Sequence, residues 1–401
     1  MVIKMKYKLY GDGVHDDTDA LQELLDNERM IHLPVPKDKY IISRSLVIGS
    51  DTVLKLDENT VIKLADGSDC VMLRNKNRYT QDKNITIIGG IWDMNNKNQS
   101  PNPLWVMEQS NETKDYGFVT EDKEYTDVYF GSMMRFSHVN NFTFKNAVFK
   151  DPINFCLQMA NIHYFTIENI TFDFNLGNPV PVNMDGIHID GGCSNGVLRN
   201  LKGTCYDDLV ALNADDSGAW DTIESIEIDG VFAENCHSAV RLLSTGSPVR
   251  NINISNVFGT YYQYVIGITH FYFERMTTGI FENISLNHIY ASKALRPDYL
   301  MKSGAPYAPI HVDRKLSINK LSICDLNRIE KNISVEYILV DEGTTIKNMS
   351  VRDLYQENHT GGQCPVLKND GVIESLYTCN VYADKDDIFT GSGTIKQKCI
   401  I

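Results

Sequence analysis

NFTFKNA at residues 141–147 and YFTIENI at residues 164–170 follow one pattern: apolar residues alternate, lead into an asparagine, and resume directly after it. The alternation puts successive side chains on opposite faces of a β-strand. The asparagine tolerates left-handed backbone, which lets the chain turn a corner before the next strand. Outward from this pair the pattern continues as NITIIGG with Gly89, NGVLRNL with Asn200, SIEIDGV with Gly230, NINISNV with Asn256 and NISLNHI with His288. KLSICDL with Asp325, NMSVRDL with Asp353 and SLYTCNV with Asn380 complete the series. From Gly89 through Asn146 and Asn169 to Asn380, the corners are 57, 23, 31, 30, 26, 32, 37, 28 and 27 residues apart. Units of this length cannot bury an apolar face alone and are stabilised by stacking. Neither a leucine-rich LxxLxLxxN consensus nor a Trp-Asp blade ending occurs. The expected fold is therefore all-β, a single-stranded right-handed parallel β-helix of about 10–12 coils forming one domain over 1–401.

The flanks fit that expectation. YGDGVHDDTDALQELLD begins at Tyr10 with turn glycines, and Asp16, Asp17 or Thr18 can cap a helix carrying Leu21, Leu24 and Leu25 on one face. Such a helix within 1–30 would cover the open end of the first coil. This opening resembles that of many pectate-lyase-superfamily β-helix proteins, phage tail spikes among them, which speaks to fold and not to activity. Two stretches depart from the period and are expected to wall a groove. Residues 93–135 carry Trp105, Tyr116, Tyr125 and Tyr129, and residues 291–312 carry Arg296, Tyr299, Lys302, Tyr307 and His311. Exposed aromatics can stack on sugar rings, and long loops in repeat folds are commonly functional.

The formal charge of −14 and pI near 5.2 disfavour nucleic acid and anionic membrane surfaces as partners. No apolar run approaches the ~18–20 residues of a membrane span. MVIKMKYKLYGDG also lacks the apolar core of a secretory signal. The expectation is a cytoplasmic protein if the chain is complete, and a secreted one if a signal was removed. Nine cysteines, odd in number and never spaced as CxxC, read as buried free thiols and not as a zinc site.

Three segments carry polar groups that a buried strand would not ordinarily hold: NMDGIHIDGG from Asn183, CYDDLVALNADD from Cys205 and ENCHSAVRLLSTG from Glu234. Asp185 to Asp208 is 23 residues and Asp207 to His237 is 30, about one coil each, which would gather them into one patch. Carboxylates brought close repel, raising one pKa while another stays ionised. That is the acid and base pair required to hydrolyse a glycosidic bond. His188 and Asp190 alternate with Asp185 and are expected on the other side, His188 as a satisfied polar group. Asp215 and Asp216 are expected to cap a turn.

In order and spacing, NMDGIHI, YDDLVALN and CHSAVRLLSTG resemble the NTDG, DD and GHG segments of polygalacturonase-type glycoside hydrolases. The resemblance implies Asp207 as general acid, Asp185 and Asp208 as the pair activating water, His237 as the holder of acid and substrate, and Asn183 as an orienting residue. It also implies inversion in a single displacement on an α-linked glycan, with uronate-containing chains among the candidates, and no cofactor. The sequence departs from the family pattern at Met184, at Cys236 and Ser238 in place of both glycines, and at YQYVIGITHF, where the family's Arg-Ile-Lys strand should fall. Arg241 or His270 would have to take over substrate binding. Two rivals stand beside this reading. One is a lyase with Ca²⁺ on Asp207, Asp208 and Asp215 or Asp216 and with Arg241 or a lysine as base. The other is a glycan-binding, adhesin-like or tail-spike-like protein without catalysis. The partner is a polysaccharide or oligosaccharide in each case, and either a monomer or a homotrimer fits.

Overall fold

The computed structural model describes residues 8–77, 79–109, 130–216, 219–272, 275–297 and 306–401. The chain is a right-handed parallel β-helix whose ten repeat corners, from Gly89 to Asn380, all have positive φ, between 53° and 85°. A second corner lies five residues earlier in seven repeats, at Asn84, Asn141, Tyr164, Asn195, Ser225, Asn251 and Asn283. The chain thus bends on both sides of each short apolar run.

Two compact units are distinguished. The first comprises residues 1–188 with 205–207, and the second residues 189–204 with 208–401. In the first, helix Thr18–Asn27 buries Ala20, Leu21 and Leu25. Asp16 accepts the Thr18 N–H at 2.9 Å, whereas the Asp17 carboxylate turns back to the N–H groups of Tyr10 and Gly11. Strand Met134–Lys150 pairs in parallel with Asp82–Ile88 and with Leu157–Asp173. Phe142 lies in register with Phe165, and Phe149 with Phe172, which fills the interior with rings. Outside, Asn169 donates to the Asn146 side chain at 2.8 Å, an asparagine ladder from corner to corner.

The second unit holds two parallel ladders. Long strands run from Ser194–Thr204 through Ile223–Cys236, Val249–Tyr261, Gly279–Lys293 and Leu316–Glu330 to Thr345–Asn358 and beyond. Leu198, Ile228, Ile254, Leu286, Ile323 and Val351 stand in register and are all buried. Each contributes about 1.5–3 kcal/mol through burial. The second ladder is of short strands: Asp208–Asn213, Ser238–Leu243, Ile266–Thr269, Ile310–Val312 and Ile338–Val340. This ladder carries most of the candidate chemistry.

Of the two irregular stretches, residues 110–129, and with them Tyr116, Tyr125 and Tyr129, lie outside the described residues, as do Tyr299 and Lys302. Leu104, at the start of the short helix Pro103–Gln109, packs with Phe130, Phe155 and Val182. All nine cysteines are free thiols, five of them buried. Among the described residues no helix is long and apolar enough to cross a membrane.

Candidate active site

In the second unit, strand Asp208–Asn213 is followed one rung on by Ser238–Leu243, with Asp208 opposite Ser238 and Ala211 opposite Arg241. This register brings ligand-type atoms of Asp208 and His237 within 4.8 Å of each other. Asp208 is sealed from solvent and accepts a hydrogen bond from the Tyr264 hydroxyl at 3.1 Å. Its other oxygen lies 3.3 Å from Nε of Arg241.

Arg241 faces two carboxylates. Its Nη2 is 3.5 Å from Asp216, its Nε also donates to Oδ1 of Asn213 at 3.3 Å, and its guanidinium covers the Phe271 ring at 5.5 Å. Asp216 is held in turn by Asn213 Nδ2 at 3.0 Å and by the Tyr272 hydroxyl at 2.7 Å. Burial beside that carboxylate pushes the Tyr272 phenol far above its ordinary range. Asp215 caps a turn as expected, accepting the N–H groups of Thr245 and Ser247 at 2.6 and 2.9 Å. Asp216 does not cap a turn, because its oxygens serve Arg241, Asn213 and Tyr272.

His237 hydrogen-bonds through Nδ1 to the Ser238 hydroxyl at 2.8 Å and meets the edge of Tyr262 at 5.3 Å. Ser238, one of the two positions where the resembled motif has glycine, therefore orients the ring. Burial lowers the His237 pKa to about 4, helped by the charges of Arg241, Arg296 and Lys293 and opposed by Asp208. The imidazole is neutral near pH 7. Asp208 and His237 are of metal-ligating types, but a guanidinium 3.3 Å from Asp208 opposes a second cation there.

His270, expected to touch substrate, is fully buried, with Nε2 on the Thr277 carbonyl at 2.9 Å and its backbone N–H on Asp313. With its Nε2 committed to the Thr277 carbonyl, His270 serves the fold here and does not take over the substrate binding expected of it. Residues the motif reading missed are Asn213, Tyr264, Tyr272 and Arg275. Arg275 lies over both Trp220 and Tyr272, at 4.3 and 4.0 Å, and donates to the Asp215 carbonyl and the Thr245 hydroxyl.

In the first unit, Asp185 is buried and its Oδ2 lies 2.6 Å from Nδ1 of His188. The expectation that His188 points away from Asp185 is overturned: the chain bends at Gly186, ahead of the strand, and residues three apart meet. His188 stacks on Phe155 at 3.8 Å. Asn183 is half-buried with φ of 48°, Met184 is fully buried, and Asp207 is half-buried. Asp190, in the second unit, is also fully buried.

No family model and no curated protein matches this sequence. Solved structures do resemble it. The Yersinia enterocolitica family 28 exopolygalacturonase aligns with a TM-score of 0.58 at 13% identity, covering 96% of this chain and 76% of its own. The polygalacturonase of Erwinia carotovora ssp. carotovora aligns at 0.57 and 14%, covering 100% and 99%. PfbA, a surface adhesin of Streptococcus pneumoniae, aligns at 0.51 and 14%, covering 98% and 92%. The chain thus has the polygalacturonase-type β-helix fold, which hosts adhesins as well as hydrolases, and fold alone does not decide between them.

Proposed function

We propose that the protein is a glycoside hydrolase that cleaves an α-linked glycan with inversion, uronate-containing chains being among the candidates. Asp207 is the general acid, Asp185 and Asp208 activate water, His237 holds acid and substrate, and Asn183 orients the reacting groups. The observation that supports this reading best is the pairing of Asp208 with a neutral, serine-oriented His237 on adjacent rungs, beside a counter-ion that favours the ionised form of Asp208. Asp207 directly precedes Asp208, and an acid next to an ionised carboxylate keeps its proton more readily. The acid protonates the leaving oxygen while water attacks from the opposite face, so the product anomer is inverted. A glycan-binding role without catalysis is the second reading, favoured by the burial of Asp208 behind Tyr264 and Arg241.

One experiment separates the two. A screen of pectic and neutral α-linked oligosaccharides, with NMR of the fresh anomer, is run on the protein and on Asp207→Asn. A hydrolase loses about 100-fold or more in turnover and keeps its ligand affinity. A binding protein shows no turnover in either form and only a modest change in affinity.

A further inference from the structure

One row of the short-strand ladder bears on the charge of the ligand this site would take. Ala211, Arg241, Gly267 and His311 stand in register on four successive rungs. Arg241 is the one cation in this row of four, and it already faces two carboxylates, Asp208 and Asp216. Gly267 cannot be exchanged for a basic residue: a Cβ built there would lie 2.6 Å from two atoms of the Tyr264 ring. The same Tyr264 donates to Asp208, so the ring is fixed over the bare backbone of that rung. His311 is buried between Tyr264 and Tyr307, and burial lowers its pKa, which disfavours the imidazolium. Two rungs beyond His311 the row reaches Lys368, itself 3.6 Å from Asp370. Arg275 lies between two aromatic rings and donates to protein oxygens. Asp208 and Asp216 hold the Arg241 guanidinium between them, so its charge is compensated within the protein, and Arg296 and Lys293 bear on His237 instead. A sugar carboxylate over this row of four meets no uncompensated cation, whereas hydroxyl groups can donate to the carboxylates.

We propose that the sugar ring seated over strands Asp208–Asn213, Ser238–Leu243 and Ile266–Thr269 is uncharged, and that Arg241 is an internal counter-ion and not a clamp for a uronate. In this arrangement Asp216, fixed by Tyr272 and Asn213, is a positioning residue that draws the guanidinium away from ligand. The proposal rests on the glycan-cleaving reading for the location of the site, and it narrows the substrate class to neutral α-linked sugars, including esterified or reduced forms of uronates.

The test is calorimetric titration of the full chain with thio-linked, uncleavable α-oligosaccharides of galacto and gluco configuration, each as the free uronic acid and as its carboxyl-reduced counterpart. The reduced member is expected to bind about 10-fold more tightly in whichever series binds, about 1.4 kcal/mol. Equal or tighter binding of the acid overturns the proposal, as does binding of neither form. In Asp216→Asn, with one carboxylate removed, the preference for the reduced form should shrink about 5-fold. An unchanged preference in that variant refutes the counter-ion role. Cleavage is read separately on the oxygen-linked compounds. A neutral preference without cleavage removes the hydrolase reading and leaves this one, whereas faster cleavage of the acids does the reverse.

Discussion

Nδ1 of His188 lies 2.6 Å from Oδ2 of Asp185, and both side chains are closed to solvent. A buried carboxylate stripped of this partner keeps its desolvation cost and loses part of its compensation. His188→Leu should therefore destabilise the protein by about 3 kcal/mol, whereas His188→Asn, which retains a donor, should recover at least half of that loss. Urea unfolding of the two variants measures it, and a leucine variant as stable as wild type would show that the contact contributes nothing.

His237 should leave a signature in acid. Burial sets its folded pKa at about 4, below the ordinary 6.5, so the unfolded chain takes up a proton first as pH falls. The stability this group contributes is fully present above pH 6.5 and is lost as pH drops toward 4, with a slope of up to about 1.4 kcal/mol per pH unit. His237→Gln should flatten that part of the curve. NMR titration of the imidazole should show it neutral down to pH 5.

Lys293 titrates in the same sense at higher pH. It is fully buried, with its ammonium on the Tyr262 and Gln263 carbonyls, and burial next to Arg328 lowers its pKa from 10.5 to about 7, with Glu330 opposing. Because the unfolded chain holds the proton more tightly, stability should rise with pH between 7 and 10.5. Relative to Lys293→Met, the wild type should gain melting temperature across that interval. A constant difference between the two curves would mean that the amine is not desolvated.

Asn256 turns its corner at a φ of 57° and donates to Asp229 one coil back at 2.6 Å. Asn256→Val should cost about 1–2 kcal/mol for the left-handed backbone, in addition to the lost hydrogen bond. Asn256→Gly keeps the backbone freedom and should cost less than the valine. Thermal unfolding of the pair separates the two contributions.

The corners were legible in the sequence because left-handed backbone selects Asn, Gly, Asp or His, and those residues recur at one place in the repeat. The earlier corner was less visible because Tyr164 and Ser225 occupy it in two coils, where neighbouring geometry overrides composition. Asp208, His237 and Arg241 stood out as polar residues among apolar ones. Their partners did not: Tyr264 and Tyr272 reach Asp208 and Asp216 from 56 residues away, along turns with no periodic signature. His270 misled for a related reason, since its position after a strand gave no hint that Thr277 folds back over it.

The in-register column from Leu198 to Val351 bears on how the second unit would yield to mechanical load. Each inner side chain leans on the rungs immediately before and after it, so pulling on one end should peel windings off in sequence, with repeated force peaks in place of a single rupture.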